Sequence, residues 1–147
     1  MKPKKFSFKR FKEIYSQVTR LTVEVLLQTS EGIVLTKREI EPYRGMWHIP
    51  GGTVLYGEKL LDAVERVAKE ELGVNVKAEK LLGYIEYSGW EKLEWFGWTV
   101  GIVFLSTIKS GKLRGNSQGK TIGFFKTLPR NVIPEQRKFI EKNLLDL

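Results

Sequence analysis

The stretch from Gly51 to Val74 constrains this chain more than any other. It opens on Pro50-Gly51-Gly52, a turn signal, and continues into Leu60, Val64, Val67 or Ala68, and Leu72, apolar residues at helical spacing. Gly73 follows where a left-handed residue would close the helix. The spacing predicts a helix over about residues 58 to 72, fed by a glycine loop. Such a loop lets the backbone approach an anion or a metal closely, and the helix N-terminus adds partial positive charge. Positions 67, 70 and 71 fall on one helical face, where Glu70 and Glu71 can hold a hard cation such as magnesium. Glu58 stands eight residues before Arg66 and can tie the loop to the helix through it, a structural role.

Around this segment the pattern is mostly β. Arg20 to Gln28 and Ile33 to Lys37 read as strands joined by the turn Thr29-Ser30-Glu31-Gly32, a hairpin. Glu39 to Gly45 reads as a loop, followed by a short apolar segment from Met46 to Ile49. Val74 to Tyr87 and Trp95 to Ile108 read as two longer strands around a polar segment, Ser88 to Glu94. A Gly/Lys/Ser-rich loop from Lys109 to Lys120 precedes a short strand near Thr121 to Lys126, and Pro134 opens a helix through Leu144. Strands mixed with a central and a terminal helix indicate an α/β or α+β layered domain. A chain of 147 residues, 41% hydrophobic, is the length of one such domain, expected to span 1–147.

Composition narrows the chemistry. No cysteine is present, so disulfides, thiolate metal sites and thiol nucleophiles are excluded, and any metal must use oxygen ligands or the single His48. No apolar run reaches the roughly 18 to 20 residues of a membrane span, so a soluble, cytoplasmic protein without a membrane partner is expected. Seven Lys/Arg against one acid in residues 1–20 account for +6 of the net +8. A basic arm of this kind is most often a solvated segment, and nucleic-acid binding is the weaker reading, because no binding motif accompanies it. Phe8, Phe11, Tyr15 and Val18 lie on one face of a helix, so residues 1–19 are read as a basic arm whose helix docks on the domain.

Gly52, Glu58, Arg66, Glu70-Glu71, Gly73 and Val74 together match the Nudix pattern G-x5-E-x7-R-E-U-x-E-E-x-G-U, where U is aliphatic. Residues 51–74 therefore resemble a Nudix box, flanked by Lys37-Arg38 and by Trp47-His48-Ile49-Pro50. The resemblance implies an α/β/α sandwich with a mixed sheet, and a magnesium-dependent hydrolase of a nucleoside diphosphate linked to another group, with manganese as the other cation. One position departs: the glutamate expected after the arginine is Val67, and Ala68 is a weak aliphatic occupant. In Nudix enzymes that attack phosphorus, that glutamate is a metal ligand and often the base. Valine can serve as neither.

GDP-mannose mannosyl hydrolases lose the same glutamate and attack the sugar carbon instead. This chain is similar to them over most of its length. The resemblance implies magnesium on Glu71 and the Gly51 carbonyl, with Gly52, Glu70 and Gln118 as further metal-site residues, and Arg38 on phosphate. Glu24 aligns with a substrate-contacting aspartate through a turn one residue shorter. The base of that branch is a histidine directly after the glutamine, where this chain has Gly119. Glu70, Glu86, Glu91 and Glu94 remain candidates for a base, while His48 reads as a packed, hydrogen-bonded residue. In the aromatic run Tyr84 to Trp98, strand members read as packing, and Trp90, in a loop, as a surface for stacking a nucleobase.

Three functions stay open: hydrolysis of a nucleotide sugar, a catalytically impaired module binding a nucleotide or RNA, and a pyrophosphatase with a relocated base. A homodimer is compatible with each. A Val67→Glu change is expected to create or raise pyrophosphatase activity if only that carboxylate is missing.

Overall fold

The computed structural model describes residues 4–41, 43–87, 97–114 and 121–144. Its elements, in chain order, are α1 (Phe8–Tyr15), β1 (Arg20–Thr29), β2 (Gly32–Lys37), β3 (Trp47–His48), β4 (Gly51–Thr53), α2 (Leu60–Leu72), β5 (Val74–Tyr87), β6 (Thr99–Gly111), β7 (Thr121–Phe125) and α3 (Pro134–Asn143). Seven strands form one sheet in the order β3-β2-β1-β6-β5, with β4 also on β1 and β7 on β2. The β1–β6 pair is parallel and the other pairs are antiparallel, so the sheet is mixed.

Strand alternation sends β1 to both faces of the sheet. Val23, Val25 and Leu27 join Ala63, Val64, Val67, Ala68 and Leu72 of α2 in one core cluster. Leu26 joins Ile85, Tyr87 and Val103 with Ile133 and Ile140 of the α3 region in the other. The sheet is thus covered by α2 on one face and α3 on the other, the three layers expected. Burial of Val64, Val67 and Leu72 contributes roughly 1.5–3 kcal/mol each relative to exposure.

Local chemistry fixes the ends of these elements. In the β1–β2 turn, Thr29 Oγ1 donates to the Gly32 carbonyl at 2.8 Å and accepts from the Glu31 amide at 3.1 Å. Gly32 adopts φ +115°, which side chains rarely permit. Helix α2 ends on Gly73 at φ +72°, whose amide bonds the Lys69 carbonyl. It starts two residues later than the spacing predicts, because Lys59 forms its N-cap without any side-chain bond.

Several expectations need correction. Gly51 and Gly52 lie in the short strand β4 on β1, not only in a turn. The last long strand runs from Thr99 to Gly111, so residues 109–111 extend the ladder with β5 instead of opening a loop. The N-terminal helix covers only Phe8–Tyr15 and buries none of its residues. Phe8 is exposed and Val18, beyond the helix, is exposed as well. The expected apolar docking is replaced by a lighter contact: Phe11 packs on Tyr15 with ring centroids 4.8 Å apart, and the Arg20 guanidinium lies over Phe11 at 5.3 Å. Among the described residues no helix is long and apolar enough to cross a membrane.

Candidate active site

The loop and helix of the box are held by one ion-pair cluster. Arg66 Nε donates to Glu58 Oε2 at 2.8 Å and Nη2 donates to Glu58 Oε1 at 3.0 Å. Nη2 also reaches the Thr53 carbonyl at 2.8 Å, and Nη1 reaches Glu70 Oε2 at 3.2 Å. Glu58 Oε1 in turn accepts from the Leu55 amide at 3.1 Å. The bidentate fork ties the loop to α2, and Arg66 holds the Glu58 carboxyl below its ordinary range. The pair bears on loop geometry, the structural role the spacing suggests.

The two late glutamates face different surroundings. Glu70 is exposed, and its Oε2 also accepts from Lys5 of the N-terminal arm at 2.8 Å. Burial lowers the pKa of the Arg38 guanidinium, and the half-buried Glu71 lies close enough that its charge, after those of Tyr87 and Glu41, opposes part of that lowering. Arg38 and Glu71, singled out separately in the sequence, are therefore electrostatic neighbours. Among the described residues no group of three or more His, Asp or Glu side chains could hold a metal.

The backbone supplies what that carboxylate set lacks. Ladder bonds run from the Val25 amide to the Pro50 carbonyl at 2.8 Å and from the Val54 amide to the Leu21 carbonyl at 3.0 Å. Gly51, opposite Glu24, falls between those positions in a non-hydrogen-bonded pair, so its carbonyl turns away from β1. A carboxylate from α2, a strand carbonyl and water suit a magnesium ion, which keeps several waters and takes only one or two protein carboxylates. Glu71 and the Gly51 carbonyl are oxygen donors of the kind that a hard cation takes. A Cβ at Gly52 would stand 2.9 Å from Val67 Cγ2, so Val67, 1% exposed, packs directly on the glycine strand.

Glu24 lies on the other face of β1. Tyr87 donates a short hydrogen bond to Glu24 Oε1, and Gln136 Nε2 donates to the Tyr87 hydroxyl at 2.9 Å. Gln136 Oε1 accepts from the Ile49 amide at 2.6 Å, which links α3 to the strand entering the box. Burial raises the Glu24 carboxyl to about 7, against the opposing effects of the Tyr87 bond and Arg20. Tyr87 and Gln136 are the residues the sequence did not reveal as a constellation. Tyr87 was read only as strand packing, and nothing local marks Gln136.

His48 is packed, as its context suggests. Its Nε2 lies 3.0 Å from Thr36 Oγ1 and its Nδ1 lies 2.9 Å from the Ile49 carbonyl. Nδ1–H donating to that carbonyl leaves Nε2 to accept from the threonine, which makes the ring neutral. Burial first, then nearby Arg38, lowers its pKa to about 3 against the Ile49 bond. The unfolded chain, with an ordinary value near 6.5, takes up the proton first as pH falls. The histidine's contribution to stability is therefore complete above pH 6.5 and is lost progressively towards pH 3. Urea midpoints of the protein and of His48→Gln should converge on acidification across that window. A gap between them that does not change with pH would mean that the ring titrates normally.

Gln118, Trp90, Gly119, Glu91 and Glu94 lie outside the described residues, and Glu86 is exposed on β5.

A family model described as the NUDIX domain matches residues 18–145. Among relatives, "Low-salt glycan biosynthesis protein Agl8" of Haloferax volcanii is 46% identical over 74 residues, 50% of this chain and 47% of that one. "ADP-ribose pyrophosphatase" of Methanocaldococcus jannaschii is 33% identical over 105 residues, 71% of this chain and 60% of that one. The match therefore spans 47% and 60% of these relatives' lengths. Among solved structures, the MutT NUDIX hydrolase from Burkholderia pseudomallei superposes with TM-score 0.76 at 26% identity, covering 86% of this chain and 98% of its own.

Proposed function

The chain belongs to the NUDIX domain family, and from that premise we propose that it hydrolyses a nucleoside diphosphate linked to another group, a nucleotide sugar, with magnesium or manganese. The observation that carries this reading is the combination of Glu71 and a Gly51 carbonyl turned away from β1 with a Val67 packed on Gly52. The parts that bind a cation and neutralise a diphosphate persist, while the carboxylate that usually activates water at phosphorus is replaced by packed hydrocarbon. That combination suits departure of an intact nucleoside diphosphate from a sugar carbon. The relative named for glycan biosynthesis supports a sugar as the linked group.

In this reading Glu71 and the Gly51 carbonyl hold the cation, with Gly52 giving close approach and Gln118 as a further ligand. Glu70 contributes Oε1, since its Oε2 serves Arg66 and Lys5. Bound there, the cation supplies charge neutralisation of the leaving diphosphate. Arg38 contacts phosphate, Glu24 contacts the linked group, and Trp90 stacks on the base. Glu70 and Glu86 are the described candidates for the base.

A second reading is a module that binds a nucleotide or RNA without turnover, with Val67 and Gly119 as the lost catalytic positions. A relocated-base pyrophosphatase is the third. A panel of nucleotide sugars, nucleoside triphosphates and dinucleotides with magnesium separates them. Turnover confined to nucleotide sugars is expected. Binding without turnover of any compound would sink the hydrolase, and turnover of triphosphates or dinucleotides alone would favour the pyrophosphatase.

A further inference from the structure

An exposed ion pair adds little to stability, because water screens it and two long side chains must be held in one geometry. The bond from Lys5 Nζ to Glu70 Oε2 at 2.8 Å is such a pair, with the side chains 60% and 38% exposed. It joins positions 65 residues apart, from the N-terminal arm to α2, and what it places there matters more than its strength. Glu70 belongs to the proposed cation site, and its Oε2 also accepts from Arg66 at 3.2 Å.

The arm is brought to the box by its own contacts. Ser7 Oγ accepts from the Arg10 amide at 3.3 Å and caps α1. Phe11 of α1 lies under the Arg20 guanidinium, whose Nε donates to Thr99 Oγ1 at 3.3 Å, so the helix rests on the starts of β1 and β6. Residues 4–7 precede α1 without regular structure and carry Lys5 to α2. The charge of Lys5 reaches past Glu70, since it also helps to lower the Glu58 carboxyl, after larger effects from Arg66 and the Leu55 amide. An ammonium has three donors, so the bond to Glu70 leaves Lys5 others for a second acceptor.

Arg38 alone does not balance a diphosphate at this site. Glu70 and Glu71 balance a divalent cation, and Arg66 is neutralised by Glu58 in their bidentate pair. A diphosphate esterified at both ends carries one negative charge on each phosphate, and it gains another on leaving. Arg38 offsets one of these, and a second positive side chain beside Glu70 offsets the next.

We propose that Lys5 is a further diphosphate-binding residue, which Glu70 holds beside the cation position so that the arm closes on the phosphates. This rests on the nucleotide reading above and adds to it a residue outside the box, on a segment that precedes the family match at residues 18–145. The same charge acts with opposite signs on the two ligands. Without nucleotide, Lys5 repels a cation from Glu70; with nucleotide, it attracts the diphosphate.

Two equilibrium measurements on the full chain test this. Manganese binding without nucleotide is followed by electron paramagnetic resonance of the free ion. Binding of GDP, ADP and UDP at saturating magnesium is followed by calorimetry, and the tightest is carried forward. Lys5→Ala should bind manganese roughly two- to fivefold more tightly and the nucleotide roughly three- to tenfold more weakly, the second effect fading in high salt. Lys5→Arg should restore part of the nucleotide affinity, since it keeps the charge. Lys9→Ala removes the same charge from an exposed position of α1 and should leave both affinities unchanged. The melting temperature of Lys5→Ala should hold, because the pair is exposed. A merely structural bridge would loosen Glu70 and weaken both ligands together. If the unmodified protein binds a nucleotide, any result other than opposite shifts removes Lys5 from the diphosphate and leaves the nucleotide reading standing. If it binds none of the three, both fall.

Discussion

Replacing Val67 by glutamate should cost the fold about 3–5 kcal/mol in metal-free buffer, the penalty of a buried charge with no partner. Position 67 is 1% exposed and packs on Gly52 within the α2 cluster, and Glu71 one turn on adds like charge. For a chain of this length the melting temperature should fall by roughly 10 °C. Magnesium or manganese should restore much of that loss, because a cation that binds the folded state alone stabilises it by mass action. The sequence alone suggested only a gain of pyrophosphatase activity. The packing makes that gain conditional on the cation, so activity and metal-dependent stability should rise together. An unchanged melting temperature in EDTA would show that residue 67 is not sealed on the glycine strand, and a loss that metal does not relieve would show that no cation reaches it.

Glu71→Gln carries the second large effect, on turnover. Glu71 is half-buried beside Arg38 on the surface of α2, and glutamine keeps its shape while removing the charge. Metal-dependent turnover should fall by more than about 100-fold, since even residues supporting a metal ligand are worth 10–100-fold. Unfolding should shift by less than about 1 kcal/mol, as for an ordinary surface change. Unchanged turnover would remove Glu71 from the site. A collapse of the fold would mean that its electrostatic interaction with Arg38 holds the domain together.

Much of this was legible because it is local. The hairpin, the β5 strand from Val74 to Tyr87 and the helix opened by Pro134 follow from alternation, a turn and a ring-locked N-terminus. The Glu58–Arg66 tie, from the loop to the helix, follows from a separation of eight residues. What escaped is assembled across distance or written in the backbone. Strand β4 was read as turn because Gly51 and Gly52 have no side chains to alternate, and the β1 ladder alone defines it. The parallel pairing of β1 with β6 joins Arg20 to Thr99, and no short-range signal records it. Glu24 was found through a resemblance, but its partner Tyr87 lies 63 residues away, and Gln136, which bonds Tyr87, a further 49. The N-terminal stripe was misread because Phe8 and Val18 have the period of a buried face without a surface to bury them.

The most direct test of the central claim is hydrolysis of a nucleotide sugar in oxygen-18 water with magnesium, followed by mass analysis of both products. Loss of the box carboxylate at Val67 with retention of Glu71 predicts attack at carbon, with the label in the sugar and an unlabelled nucleoside diphosphate. Label in a phosphate product would contradict it, and would place the water at phosphorus in a site that does without a carboxylate at position 67.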